Sequence, residues 1–309
     1  MKATVYKSTG SWYSVKTDDG QWVQARMKGV FKIDEDITST NPIAVGDVVT
    51  IAAEDTAEKT VTITGIDDRK NYINRQSPRH KHQQHIIAAN LDQSILLATI
   101  KEPRTSTGFI DRFLVACEMY HVPAIIVYNK ADLYKQKELD KFEEYKNRYE
   151  AIGYKVLNIS VSEQTGMQEI DALLKDKVSL VSGHSGVGKS SFVNSILPGK
   201  NIKTQDVSNW SGKGMHTTTF AEMYDLPNNG KIIDTPGMRE FAISGVEKDE
   251  LSHYFPEMRS RLHDCQFNNC QHINEPKCAI KKAVAEEQIN EDRYMSYLSI
   301  YDSLANPGY

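Results

Sequence analysis

The feature that most narrows what this chain can fold into is residues 181–191, "VSGHSGVGKSS". Gly183-His184-Ser185-Gly186-Val187-Gly188-Lys189-Ser190 satisfies G-x-x-x-x-G-K-[ST] in full. It follows an apolar strand candidate, "KVSLVS", and opens a helical pattern, "KSSFVNSIL", which Pro198-Gly199 closes. Strand, glycine loop and helix in that order make a phosphate cradle. The glycines let the backbone curl so that successive N–H groups face phosphate oxygens, and the helix N-terminus adds positive potential. Lys189 is expected to hold the β- and γ-phosphates and the Ser190 hydroxyl to ligate Mg²⁺. His184, Ser185, Val187 and Ser191 complete the nucleotide-facing stretch, with no catalytic part assigned to His184. A bare glycine turn is the competing reading, and the flanking strand and helix argue against it.

The surroundings fit. From residue 91 apolar strand candidates ("SILLATI", "AIIVYN", "KVLNIS", "KVSLVS", "KIIDT") alternate with helical patterns such as "FIDRFLVACEMY" and "KQKELDKFEEYKNRYEAI". That alternation predicts a parallel sheet with crossover helices. Downstream of the loop, "KIIDTPGM" ends a strand with Asp234-Thr235-Pro236-Gly237, a D-x-x-G. Asp234 suits the Mg²⁺ shell, and the Gly237 N–H can approach the γ-phosphate.

Upstream stands Asn129-Lys130-Ala131-Asp132, which resembles the guanine-reading tetrapeptide of GTP-binding proteins. Guanine offers two neighbouring donors, N1–H and the 2-amino group. An ionised carboxylate only accepts, so Asp132 can take both. Adenine leaves such a site poorly paired, and buried polar sites discriminate strongly. Asn129 would tie the base-reading loop to the rest of the pocket, and the Lys130 stem could lie along the base. The elements therefore run guanine reader, phosphate loop, D-x-x-G, the order of a circularly permuted GTPase. A compact domain tolerates such a cut because its ends lie near each other at the surface. A P-loop ATPase or kinase is the competing enzyme, separable by nucleotide competition. An RNA-binding module with a purely structural pocket is the competing non-enzyme, separable by turnover measurements.

Residues 1–66 read differently. "ATVYKS", "SWYSVKT", "QWVQARM", "DVVTIAA" and "KTVTITGI" are short β-rich runs, with an Asp19-Gly20 hairpin signal between the second and third. They predict a small OB-type barrel, a fold often used on oligonucleotides, or else a β-module that docks on another domain. Residues 69–85, "RKNYINRQSPRHKHQQH", hold five Lys/Arg, three His and no acid. This run is expected as a basic linker whose Arg75, Arg79 and Lys81 contact an RNA backbone; a solvated linker is the plainer alternative. The formal charge of −4 excludes a chain coated with nucleic acid. No stretch is long and apolar enough to span a bilayer and the N-terminus has no apolar signal core, so a cytoplasmic protein without membrane contact is expected.

"CQFNNCQHINEPKC" spaces Cys265, Cys270, His272 and Cys278 as a Cys₃His set. In a cytosolic chain of 309 residues, metal is a better reading of clustered cysteines than disulfides. Four such ligands match one structural, tetrahedral Zn²⁺ per chain, with no position left for a catalytic water. Cys117, in "FLVACEMY", is better read as core. Tyr294, Tyr297, Leu298, Tyr301 and Leu304 follow helical spacing and predict a packing stripe. The fold expected is thus multidomain: barrel at 1–68, basic linker at 69–90, α/β P-loop GTPase at 91–244 and helical zinc-binding domain at 245–309.

"GKGMHTTTF", "DTPGMREF", "IDRFLV" and the cysteine cluster together resemble the ribosome small subunit-dependent GTPase A family, over nearly the whole chain. The resemblance implies a GTP hydrolase that assists late assembly of the small ribosomal subunit, binds its rRNA and is released on GTP hydrolysis. It implies slow turnover alone and faster turnover on the subunit, and a monomer is expected. After "KVLNIS" only "SVS" is available as a second base-reading element, which assigns Ser160. Many GTPases place a water-orienting Gln after D-x-x-G; here stands Met238, which cannot do that work. His216, in the stretch where switch I belongs, is the candidate catalytic residue; an RNA contact or a bare loop position is its alternative. One switch threonine should reach Mg²⁺, Thr218 by preference, with Thr217 left open.

Overall fold

The computed structural model describes residues 1–27, 42–53, 60–76, 84–197, 199, 221–234, 243 and 246–305. The five β-rich runs form β1 (Lys2–Ser8), β2 (Tyr13–Thr17), β3 (Trp22–Met27), β4 (Val48–Ala53) and β5 (Thr60–Ile66). Their order β1-β2-β3-β5-β4 closes through β4 onto β1, with β3 and β5 parallel. This is a closed five-stranded barrel of OB type. Alternation fills it: Ala3, Val5, Tyr13, Val15, Ala25, Val49 and Ile63 point inward and are buried. The Asp19-Gly20 turn forms as its sequence demands, with Gly20 at φ +86° and its N–H on the Thr17 carbonyl.

The stretch expected as a linker is more ordered than that. β6 (Tyr72–Gln76) and β7 (Gln84–Ala89) pair as an antiparallel hairpin, and Ile73 and Ala88 enter a core shared with Tyr6 of the barrel. Two of its cations are neutralised by distant carboxylates. The Arg69 guanidinium makes two 2.7 Å bonds to Asp47, and Lys70 pairs with Asp92 at 2.6 Å. A charge run with no acid of its own can therefore still fold, because its partners come from elsewhere in the chain.

Next come β8 (Gln93–Ala98), β9 (Ala124–Tyr128), β10 (Lys155–Asn158), β11 (Val178–Gly183), β12 (Glu222–Asp225) and β13 (Lys231–Asp234). Their order is β10-β9-β8-β11-β13-β12, parallel except for β12. Helices α1 (Thr107–Met119) and α2 (Gln136–Glu150) pack on one face through Ile110, Phe113, Phe142 and Tyr145. Helices α3 (Met167–Leu174) and α4 (Lys189–Ile196) pack on the other through Ile170, Leu173, Phe192 and Val193. Burial on both faces explains why these strands read as unbroken apolar runs; every residue of β8 is buried. β12 also pairs with β1 at Lys7↔Glu222, so barrel and GTPase strands belong to one eleven-stranded sheet.

The C-terminal region carries α5 (Pro256–Arg259), α6 (Ala279–Ala285) and α7 (Glu291–Ala305). Tyr297 lies buried, and Tyr294, Leu298, Tyr301 and Leu304 pack around the same core as Phe255, Met258 and Ile280, as the helical stripe required. Val115 of α1 and Ile243 and Val246, which follow the D-x-x-G stretch, share that core. An ion-pair cluster seals the junction. The Arg293 guanidinium of α7 is 1% exposed and donates at 2.7 Å to both Asp111 of α1 and Glu257 of α5. Tyr149 of α2 donates to the same Asp111 oxygen at 2.9 Å. Removing one partner of such a buried group leaves an uncompensated charge, a loss of about 3–5 kcal/mol.

Candidate nucleotide pocket and metal cluster

The phosphate loop is held by contacts that glycine alone permits. Gly183, ending β11, has φ +147°, and a Cβ there would lie 2.3 Å from the Leu97 carbonyl oxygen. Gly188 has φ +95°, and a Cβ there would lie 2.5 Å from Asn129 Nδ2. That gap is where Asn129 enters: its Nδ2 donates to the Val187 carbonyl at 2.9 Å. Asn129 Oδ1 meanwhile accepts from the Val161 N–H at 3.2 Å. One buried amide thus joins the phosphate loop, the tetrapeptide and the turn after β10.

Lys189 opens α4, and its ammonium donates to the Gly183 and His184 carbonyls at 2.8 and 3.1 Å. Burial pushes this amine down and the Asp234 carboxylate pushes it up, burial having the larger effect. Asp234 ends β13 beside Val181 of β11, nearly buried, so both chemical ends of the phosphate site converge on one strand pair. Ser190 is half-buried in the first turn of α4, while Ser185 and Ser191 are exposed. The His184 ring lies 3.6 Å, centroid to centroid, from Phe109 of α1.

Asp132 is exposed in a short 3-10 turn, Ala131–Leu133. The buried Ser160 hydroxyl donates to its Oδ1 at 2.6 Å and itself accepts from the Glu163 N–H at 3.1 Å. The Ser160 hydroxyl, foremost, holds the Asp132 carboxyl below the usual range, so at neutral pH it only accepts. Lys130 adopts φ +67°, and its ammonium reaches the Glu102 carbonyl at 2.5 Å. The structure therefore brings Asn129, Lys130, Asp132, Ser160, residues 183–190 and Asp234 together. Gly237, His216, Thr217, Thr218, Met238, Arg79 and Lys81 lie outside the described residues, as does the Arg75 side chain.

Sequence reasoning missed the loop after β8. Its Glu102 carbonyl takes Lys130, and Pro103 lies 3.4 Å from where a Gly186 Cβ would be. Glu102 acts through its backbone, which leaves no trace in residue type. Tyr134, two positions past the tetrapeptide, donates to the Asn129 carbonyl at 2.9 Å and was equally unread.

Cys265, Cys270, His272 and Cys278 bring four ligand atoms within 4.8 Å of one another. The His272 Nδ1 lies 3.7 Å from Cys265 Sγ and 3.4 Å from Cys278 Sγ. A tetrahedral ion with Zn–S near 2.3 Å and Zn–N near 2.0–2.1 Å sets such separations at about 3.6 Å. The geometry fits. Burial pushes the Cys270 thiol up to about 12 and pulls the His272 imidazole down. The imidazole is thus neutral and ready to ligate, while the Cys270 thiol needs a cation to ionise. Around the cluster, Tyr294 and Tyr297 of α7 donate to the His272 and Gln271 carbonyls at 2.6 and 2.8 Å. Glu275 accepts the Gln271 and Ile273 N–H groups at 2.8 and 2.9 Å.

Comparison with known proteins bears on the unusual motif order. The family model "RsgA GTPase" matches residues 66–244, and "RsgA N-terminal domain" matches residues 2–61. The small ribosomal subunit biogenesis GTPase RsgA 2 of Bacteroides thetaiotaomicron is 49% identical over 302 residues, 98% of this chain and 96% of that protein. Its counterpart in Flavobacterium psychrophilum is 50% identical over 303 residues, covering 98% and 93%. Among solved structures, YjeQ from Thermotoga maritima superposes with a TM-score of 0.80 at 31% identity, over 99% of this chain and 98% of that one. YloQ, described as a circularly permuted GTPase, gives 0.76 at 28% identity, over 100% and 96%. A guanine reader placed ahead of its phosphate loop fits the circular permutation for which YloQ is described, and this chain belongs to the RsgA GTPase family.

Proposed function

We propose that this GTPase hydrolyses GTP while bound to the maturing small ribosomal subunit and leaves when hydrolysis is complete. The observation that carries the catalytic part is the Asn129 side chain. By holding Val187 and receiving Val161, it makes one pocket from three segments far apart in sequence. Asp132, aimed by Ser160, reads guanine; Lys130 and Asn129 hold the reader in place. The curled backbone of residues 183–188 and the α4 N-terminus receive the phosphates, with the Lys189 ammonium moving from its carbonyls onto phosphate oxygens. Ser190, Asp234 and Thr218 would hold Mg²⁺, which when bound would supply neutralisation of phosphate charge. By their place in the motifs, the Gly237 N–H would approach the γ-phosphate and His216 would orient the attacking water in place of the missing glutamine.

The barrel and the basic hairpin, through Arg75, Arg79 and Lys81, are assigned the rRNA contact. The cysteine cluster is assigned one structural Zn²⁺, which would tie the N-terminus of α6, at Cys278, to the loop carrying Cys265, Cys270 and His272. The names of the relatives support the subunit assignment. The protein is proposed to work as a cytoplasmic monomer; no helix among the described residues is long and apolar enough to cross a membrane. The test is GTP turnover titrated with small subunits, large subunits and naked RNA. Small subunits alone should accelerate it. Equal stimulation by large subunits, or none by small ones, rejects the assignment.

A further inference from the structure

Strands β8 and β9 pair in parallel up to Ala98↔Tyr128, and one more ladder bond follows, from the Asn129 N–H to the Ala98 carbonyl at 2.8 Å. The next bond of a parallel ladder would run from the Ile100 N–H to the Asn129 carbonyl. At that rung stands the Tyr134 hydroxyl. The Ile100 N–H donates to the phenolic oxygen at 3.2 Å, and the phenol donates onward to the Asn129 carbonyl at 2.9 Å. One oxygen atom is inserted where the two loops part. One loop becomes the guanine reader; the other, residues 99–105, runs to the phosphate loop.

Both loops depend on that spacing. On one side Asn129 grips Val187 at 2.9 Å, and Lys130 reaches across to Glu102 at 2.5 Å. On the other, Pro103 packs beside Gly186. The ring of Tyr134 is anchored against the core that holds Ile100 and Tyr128. Only a group that both accepts and donates can fill the rung. Burial pushes the phenol up to about 12, so it keeps its proton across the neutral and alkaline range.

We propose that Tyr134 is a positioning residue for guanine-nucleotide binding, whose hydroxyl sets the separation of the Asn129-Lys130 turn from the 99–105 loop. Without the hydroxyl, either two backbone groups go unpaired or the ladder closes by an oxygen's width. Both displace the base reader from the phosphate loop.

The inference rests on the nucleotide pocket proposed above, and the test separates the two. Tyr134→Phe, in the full chain, keeps the ring and its packing. Fluorescent GDP binding, displacement by ADP, and GTP hydrolysis at saturating small subunits are measured beside Asp132→Asn. GDP and GTP affinity should fall about five- to tenfold, the loss of one hydrogen bond with some misalignment. KM should rise by the same factor with kcat within about twofold of wild type, and GDP should lose part of its preference over ADP. Normal affinity and preference in Tyr134→Phe, with Asp132→Asn impaired, overturns the inference and spares the pocket. Normal behaviour of both variants overturns both. A fall in kcat with KM unchanged also overturns it, since positioning for binding would then be the wrong role.

Discussion

Asp132→Asn changes one oxygen to an NH₂, and the bond to Ser160 favours one direction for that group. Ser160 Oγ donates to Asp132 Oδ1 at 2.6 Å and accepts the Glu163 N–H, with Ser162 Oγ 3.0 Å away. When the amide oxygen keeps the Ser160 hydroxyl bond, the new NH₂ turns toward the base. There it meets guanine's N1–H or 2-amino group, donor against donor. A charge-assisted hydrogen bond is worth about 1.5–3 kcal/mol, and an unpaired donor costs about 1–3 kcal/mol more. The sum, about 2.5–6 kcal/mol, corresponds to a roughly 10²- to 10⁴-fold loss of GTP affinity. Because Asp132 is exposed before nucleotide arrives, the lower end is expected, about 10²-fold. Xanthine nucleotides carry a 2-oxo acceptor at the same edge and should gain affinity in the variant. Competition of labelled GTP against unlabelled GTP, XTP and ATP measures both sides. Unchanged GTP affinity would remove Asp132 from the pocket; a loss of GTP without any gain of XTP would refute the orientation assigned to Ser160.

Cys270→Ser or Cys278→Ser should lower bound zinc from about one per chain and loosen the C-terminal domain, since a structural ion supplies folding energy; elemental analysis finding no zinc in unchelated wild-type protein rejects this. Reversing charge at Arg75, Arg79 and Lys81 together should weaken small-subunit binding and flatten its salt dependence while GTP affinity holds. Untouched subunit binding would leave that hairpin without an RNA role. His216→Ala should cut subunit-stimulated turnover by ~10²–10⁴-fold with GTP binding nearly intact, and the variant should linger on subunits; wild-type turnover and release dismiss the assignment.

What could be read from sequence was chemistry confined to neighbouring residues. The phosphate loop, Asn129-Lys130-Ala131-Asp132 and the Cys₃His spacing each pack their meaning into fourteen positions or fewer. The barrel strands announced themselves by alternation, and β8 by its apolar run. What escaped was set by partners far away or by backbone atoms. Arg69 and Lys70 looked like free cations until Asp47 and Asp92 supplied their counter-charges. The Glu102 carbonyl has no residue signature. "IDRFLV" marked the family, but its Asp111 only makes sense once Arg293, 182 positions later, lies against it.

That separation has a consequence for the order in which the protein is made. Ribosomes add about 5–20 residues per second, so Arg293 emerges roughly ten to forty seconds after Asp111. By the end of that interval the nucleotide-binding segments have all been synthesised, yet α1 and α2 still face each other around a carboxylate with no cation. The nascent GTPase domain can assemble its sheet but cannot close its buried junction. Completion waits for α7, so a helix made late in the chain times the closing of the junction around α1.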